Sequence, residues 1–169
     1  MDGCHRLVVF GIVIHGIIDG FSRFILGLRA ADNNKARTVL NLFEDAVASI
    51  DGTPRMLRTD KGGENIEAAE YMIRHAGSRS VITGRSVHNQ RIERLWRDST
   101  TDIVQHYHDL FMGYVRNEGL LIDDNTHKFV LQHIFLAKIN AELLDFQTRW
   151  NSHQLSTEKN YTPNQLIVK

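Results

Sequence analysis

Leu57-Arg58-Thr59-Asp60-Lys61-Gly62-Gly63-Glu64-Asn65 is the stretch on which the reading of the chain turns. Met56 to Thr59 predicts a short strand that closes on an acid, Asp60. Lys61-Gly62-Gly63 is a loop that leaves the carboxylate uncrowded, and Asn65 to His75 predicts a helix. Upstream, Arg6 to Ile18 is rich in Val, Ile and Phe and predicts a strand covered on both faces. Asp19-Gly20-Phe21-Ser22-Arg23 is a turn, and Phe24 to Leu28 a second strand that completes a hairpin.

Between hairpin and acidic strand, Asp32-Asn33-Asn34 opens a helix. Its stripe is Val39, Leu40, Phe43, Ala46, Val47 and Ile50, and Asp51-Gly52-Thr53-Pro54 ends it. Downstream, Ser80 to Ile82 predicts a short strand and Thr83 to Asn89 a polar loop. A long helix is predicted from Gln90 to about Arg116, with Ile92, Leu95, Trp96, Ile103, Tyr107, Leu110 and Tyr114 buried. Asn117-Glu118-Gly119 breaks it, and another helix runs from about Thr126 to Trp150. Early antiparallel pairing followed by alternating strands and helices predicts an α/β fold, a mixed sheet with helices on its faces.

The chain has 169 residues, the size of one domain, and its 42% hydrophobic and 24% charged residues fit a globular protein. One cysteine, Cys4, excludes an internal disulfide framework and any zinc site built on two thiolates. A reducing, intracellular location, nuclear or cytoplasmic, is expected. The longest apolar run, Leu7 to Ile18, is too short to span a bilayer. Asp2 occupies what would be the basic region of a signal peptide, so neither secretion nor a membrane is expected.

Lys plus Arg equals Asp plus Glu at 20 each, but the charges are unevenly spread. Arg79 to Arg97 holds five arginines against the single acid Glu93, whereas Glu118 to Glu158 holds six acids against three bases. A local basic patch survives the neutral sum.

Three acids fall at punctuation points: Asp2 before the first apolar strand, Asp60 at a strand end, and Glu93 near the start of the long helix. Carboxylates brought together from two neighbouring strands and a facing helix suit metal-assisted phosphoryl transfer. Mg²⁺ is a hard cation that takes oxygen ligands, and a metal pair stabilises both attacking and leaving oxygens. Each acid also has an ordinary reading. Asp at a strand end is turn chemistry, and Glu near a helix N-terminus meets the macrodipole favourably.

Four segments resemble, in order, the core domain of retroviral-type and transposon integrases. Leu57 to Asn65 is similar to their middle acidic motif, Thr-Asp-x-Gly followed by Asn. His88-Asn89-Gln90-Arg91-Ile92-Glu93-Arg94 is similar to their third motif, a loop that feeds the glutamate-bearing helix. Ile18 to Arg23 resembles the hairpin turn after the first catalytic strand. Trp150-Asn151-Ser152-His153-Gln154-Leu155 with Thr162-Pro163 resembles the closing segment. The strings around Gly-Gly-Glu-Asn and His-Asn-Gln-Arg-Ile-Glu-Arg look most like the integrase core of eukaryotic transposon-derived proteins.

The resemblance implies a ribonuclease-H-like sheet of order 3-2-1-4-5 flanked by helices, with further helices at the C-terminus. It implies one integrase core domain over residues 1–169, with 1–117 the core, 118–169 a helical extension, and the first strand cut short at its N-terminus. It implies a catalytic and metal-binding triad of Asp2, Asp60 and Glu93 with Mg²⁺ or Mn²⁺, and DNA as partner. The activity implied is that of a DDE polynucleotidyl transferase: phosphodiester cleavage and strand transfer in DNA integration. Asp19 is the alternative first acid. In the implied order the partner of Asp60 belongs on strand 1, which favours Asp2 and leaves Asp19 to hold the turn.

Lys61, Asn89, Arg91, Arg94 and Arg97 are the candidate DNA contacts, with a solvated polar face as the ordinary alternative. Phe129, Leu136, Leu143 and Trp150 form a heptad stripe consistent with core burial or with a homo-oligomer. The alternative function is a catalytically inactive, domesticated transposon-derived module that binds DNA or protein. A ribonuclease-H-type nuclease without transfer activity would lack the closing segment.

Overall fold

The structure is a computed structural model that describes residues 1–84, 90–99 and 103–168. Five strands and six helices follow in the order β1 (Asp2–Cys4), β2 (Val13–Ile18), β3 (Ile25–Ala31), α1 (Ala36–Ser49), β4 (Leu57–Thr59), α2 (Ile66–Ala76), β5 (Val81–Thr83), α3 (Gln90–Ser99), α4 (Gln105–Asn117), α5 (Asn125–Ser152) and α6 (Pro163–Ile167). The fold is mixed α/β, as the alternation of patterns predicts.

The apolar run expected as one strand is divided. Val8–Phe10 forms a 3₁₀ turn, and Gly11 takes a φ of 74° while its N–H bonds to the Val8 carbonyl. Only a residue at ease in the left-handed region closes such a turn without strain. The run therefore supplies β2 alone, and Asp2 lies on a strand of its own. β1 pairs with β2 antiparallel, Asp2 facing Gly16. β2 pairs with β3, also antiparallel, and the register slips between Ile17 and Ile18. β4 and β5 form a separate parallel pair. The described strands thus make a β1-β2-β3 sheet and a β4-β5 sheet, rather than one five-stranded ladder. Beside the seam the Met1 amino group donates to the Arg58 carbonyl, 2.7 Å.

The long helix expected from Gln90 appears as α3 and α4, with residues 100–102 outside the described residues and a wide π-type turn at Ile103–Val104 before α4. The start of α1 is set by Asn33, whose Oδ1 accepts from the Lys35 N–H and the Thr38 hydroxyl. α5 begins at Asp124, whose carboxylate accepts from the Thr126 and His127 N–H groups.

Two apolar clusters fix the layers. In one, Ile14 and Ile25 of the three-stranded sheet and Ile12 just before β2 pack with Ile92, Leu95 and Trp96 of α3, Phe111 of α4, and Ile139 and Leu143 of α5. In the other, Ile17 and Leu57 pack with Val39, Phe43 and Ala46 of α1 and with Met72 of α2. Two glycines mark the closest approaches. A Cβ at Gly16 would lie 2.6 Å from the Trp96 ring, and one at Gly27 would lie 2.8 Å from Leu42. α3 and α1 therefore sit down on the sheet where a side chain is missing. Among the described residues no helix is long and apolar enough to cross a membrane.

Candidate active site

Of the three predicted acids, Asp2 lies within electrostatic range of both Asp60 and Glu93. Asp2 stands on β1, Asp60 follows the last residue of β4, and Glu93 lies in the first turn of α3. Packing explains the approach of α3. Ile92 and Leu95 are fully buried, Trp96 nearly so, and Trp96 fills the space above Gly16. From there its indole N–H reaches the Asp2 carboxylate, 3.3 Å. The residue opposite Asp2 in the ladder thus admits the ring that orients Asp2. The sequence pattern marks Trp96 only as a core residue, and nothing in its spacing signals the bond.

Asp60 is held from its own loop. Its Oδ1 accepts from the Gly62 N–H, 3.0 Å, and from the Asn65 amide, 2.7 Å. Asn65 is buried, so its amide is fixed in turn. The spacing Asp60-Lys61-Gly62-Gly63-Glu64-Asn65 is what lets the loop fold back on its acid. Lys61 is exposed beside it.

The electrostatics record the crowding. Burial pushes the Asp2 carboxyl above the ordinary range, against the Gly3 N–H and the Trp96 indole, and repulsion from Asp60 adds to the rise. Glu93 is also raised, first by burial and then by repulsion from Asp2, with Arg97 opposing. Burial likewise pushes the Cys4 thiol up, reinforced by Asp2 and Glu93, so Cys4 is a buried apolar residue beside the acids. Asp2 repels both of the others and is the hub of the cluster.

Asp19 is differently engaged. Its Oδ2 accepts from the Phe21 N–H, the Ser22 N–H and the Ser22 hydroxyl, at 3.1, 2.6 and 2.7 Å. One oxygen is thus committed to the hairpin turn.

A groove of about 1010 Å³ opens beside the acids. Glu93, Arg91, Arg94 and Arg97 of α3 and Asp19 line one side, and Phe43, Val47 and Ile50 of α1 with Met56 line its apolar floor. Met1 and Arg58 also line it, whereas Asp2 and Asp60 do not. Arg91, Arg94 and Arg97 are exposed. Asn89, the remaining candidate DNA contact, lies outside the described residues, as does His88.

A family model described as Integrase core domain matches residues 1–169. The chain belongs to the integrase core domain family. No curated protein and no solved structure matches it. The match spans the acid-bearing strands, α3 and the helices after it.

The donor set fits a hard divalent cation. All three groups are carboxylates, and Asp2 and Glu93 hold raised proton affinity that a cation would relieve. Among the described residues, however, no three His, Cys, Asp or Glu side chains converge closely enough to enclose an ion.

Proposed function

We propose that this integrase core domain is a DDE polynucleotidyl transferase that cuts a phosphodiester at a DNA end and joins the freed 3′ end to a second duplex. The observation that carries this reading is the repulsion that Asp2, half-buried on β1, shares with both Asp60 after β4 and Glu93 on α3. Mg²⁺ or Mn²⁺ bound there would activate the attacking oxygen and offset charge on the leaving one. Asp2 and Asp60 would hold the ion and Glu93 would complete the set. The chain's own part is orientation. Trp96 aims Asp2, Gly62 and Asn65 fix Asp60, and Lys61, Asn89, Arg91, Arg94 and Arg97 hold the DNA backbone beside them. We also propose the 3-2-1-4-5 order, with β1 between β2 and β4. The Met1 to Arg58 bond supports that placement.

The reading makes residues 1–117 the catalytic core and 118–169 its helical extension, in an intracellular protein allied to the transposon-derived integrases of eukaryotes. The exposed Phe129, Val130, Ile134 and Leu144 on α5 support self-association.

A non-catalytic DNA- or protein-binding module is the second reading, favoured by the lack of three converging ligands among the described residues. Calorimetry with Mg²⁺ and Mn²⁺, on the wild type and on Asp60→Asn with Glu93→Gln, separates the two. The transferase reading expects divalent binding that disappears in the double variant, together with strand transfer that falls below detection. Absence of binding at millimolar metal overturns it in favour of the second reading.

A further inference from the structure

A second, smaller pocket of about 80 Å³ lies where the hairpin turn, α3 and the C-terminal end of α5 meet. Arg23, Arg91, Arg94, Trp150 and His153 line it together with Ile18 and Leu155, and among the described residues no acid does. We propose that this pocket binds a phosphate group, and that its natural source is a backbone phosphate of nucleic acid other than the one that reacts. The nucleic-acid part of this proposal rests on the function proposed above; the phosphate part does not.

Arg23 is the central observation. Its backbone is held in the left-handed region, at φ 61°. Its N–H donates to the Asp19 carbonyl, 3.1 Å, and its own carbonyl accepts from the Trp150 indole, 2.8 Å. A non-glycine residue stays in such a conformation only where its surroundings over-determine it. The side chain is only 13% exposed. One Nη donates to Glu158, 2.8 Å, but Nε is buried with no hydrogen-bond partner. Buried donors in folded proteins are nearly always paired, so this N–H marks a place for an acceptor.

Charge and shape agree with that acceptor being a phosphate. The volume admits a small tetrahedral oxyanion and little more. Arginines from two separate elements line it, and the planar guanidinium fork matches phosphate oxygens. Glu158 pairs with Arg23 from outside the lining. Arg91 and Arg94 line both this pocket and the groove that contains Glu93. A strand whose phosphate sat here would therefore continue toward the carboxylates. The pocket also draws together two sequence segments that the acid triad leaves unused, the Ile18 to Arg23 turn and the Trp150 to Leu155 segment.

The test uses the whole chain, with inorganic phosphate as the first probe. At fixed ionic strength, phosphate is expected to bind by calorimetry and to raise Tm over chloride. Arg23→Lys keeps the charge but removes Nε and the fork, and should weaken phosphate at least tenfold. The surface pair Arg91→Gln with Arg94→Gln should do the same without touching the turn. Arg29→Gln, on β3 and paired with Asp45, should leave binding unchanged. Equal phosphate binding in wild type and all variants, or none in wild type, overturns the pocket. The second probe is a short oligonucleotide. Arg23→Lys is expected to weaken it and to lower its salt slope by about 1. Phosphate binding with unaltered oligonucleotide binding overturns the nucleic-acid source. Asp60→Asn with Glu93→Gln removes the acids but not the pocket, so failure of the transferase reading leaves phosphate binding intact.

Discussion

Along the outer edge of β3, three amide side chains of α5 stand in for a neighbouring strand. Asn140 accepts from the Ala30 N–H, 2.8 Å, and donates to the Ala30 carbonyl, 3.0 Å. Asn151 brackets Ile25 in the same way at 2.8 and 3.0 Å, and Gln147 donates to the Ile25 carbonyl as well. Along the seam between β1 and β4, by contrast, no ladder pairs the two sheets among the described residues, and the Met1 amino group donates to the Arg58 carbonyl. The geometry of the first region is matched in length. Eleven residues of helix rise about 16 Å, and five residues of strand span about the same distance. Ile25 and Ala30 would face opposite edges of a regular strand. The register slip opposite Ile17 and Ile18 skips Leu26 and turns both to the same edge. An exposed strand edge invites pairing with other chains, and α5 closes it. The difference teaches where rigidity is placed. The scaffold is fastened at the edge away from the acids, and the seam that carries them is held by side chains of α3 and by the Asp60 loop.

The largest expected effect breaks the fastened edge. Asn151→Ala leaves the Ile25 N–H without its partner in a buried setting and removes one of two donors from the carbonyl. Loss of a buried, doubly bonded amide should lower stability by about 2–4 kcal/mol in urea denaturation. Asn140→Ala, at a half-buried position, should cost less. If Asn151→Ala is neutral, α5 rests on the sheet by apolar contact alone and the contrast between the two edges fails.

How much of this was legible depends on the kind of signal. The strand before Asp60, the helix after it and the limits of α5 follow from local pattern and from breakers such as Asn117-Glu118-Gly119, and each is found within a residue or two. The division of Arg6–Ile18 was not legible. A continuous apolar run looks the same whether it is one strand or a turn followed by a strand, and the left-handed Gly11 depends on tertiary contacts. The α5 amides were hidden for a related reason. The apolar heptad stripe dominates that helix, and the polar positions beside it declare themselves only when a strand edge lies opposite. In the site, the positions of the acids could be read because each terminates or opens an element. Their holders, Trp96 and Asn65, act through single long-range or loop-closing bonds that residue spacing does not encode.

An intermediate effect sharpens the account of the seam. Gly16→Ala would place a methyl 2.6 Å from the Trp96 ring and 3.2 Å from Ile92. Overpacking of this sort costs about 1–3 kcal/mol. More telling is the predicted side effect, since α3 carries Glu93. The variant should lose divalent-ion affinity by more than its stability loss implies, and Trp96 fluorescence should report the displaced ring. Full stability with unchanged fluorescence would mean that α3 is not seated on Gly16.

The smallest effect has the opposite sign. The folded state raises the Asp2 carboxyl above its unfolded value, so folding favours the protonated form. The resulting penalty is absent at pH below the unfolded value, near 3.8, grows as pH rises through the raised folded value, and is fully present at neutrality. Asp2→Asn removes the charge and keeps an acceptor for the Trp96 indole. Without metal it should therefore melt slightly higher than wild type at pH 7, and the difference should vanish as pH falls toward the unfolded carboxylate range. Adding Mg²⁺ or Mn²⁺ should reverse the order, because only the wild type gains from a cation that offsets the repulsion. An Asp2→Asn variant that is less stable at pH 7 without metal would show that the acid holds the seam together. The tension at the seam would then lie elsewhere than among the three carboxylates.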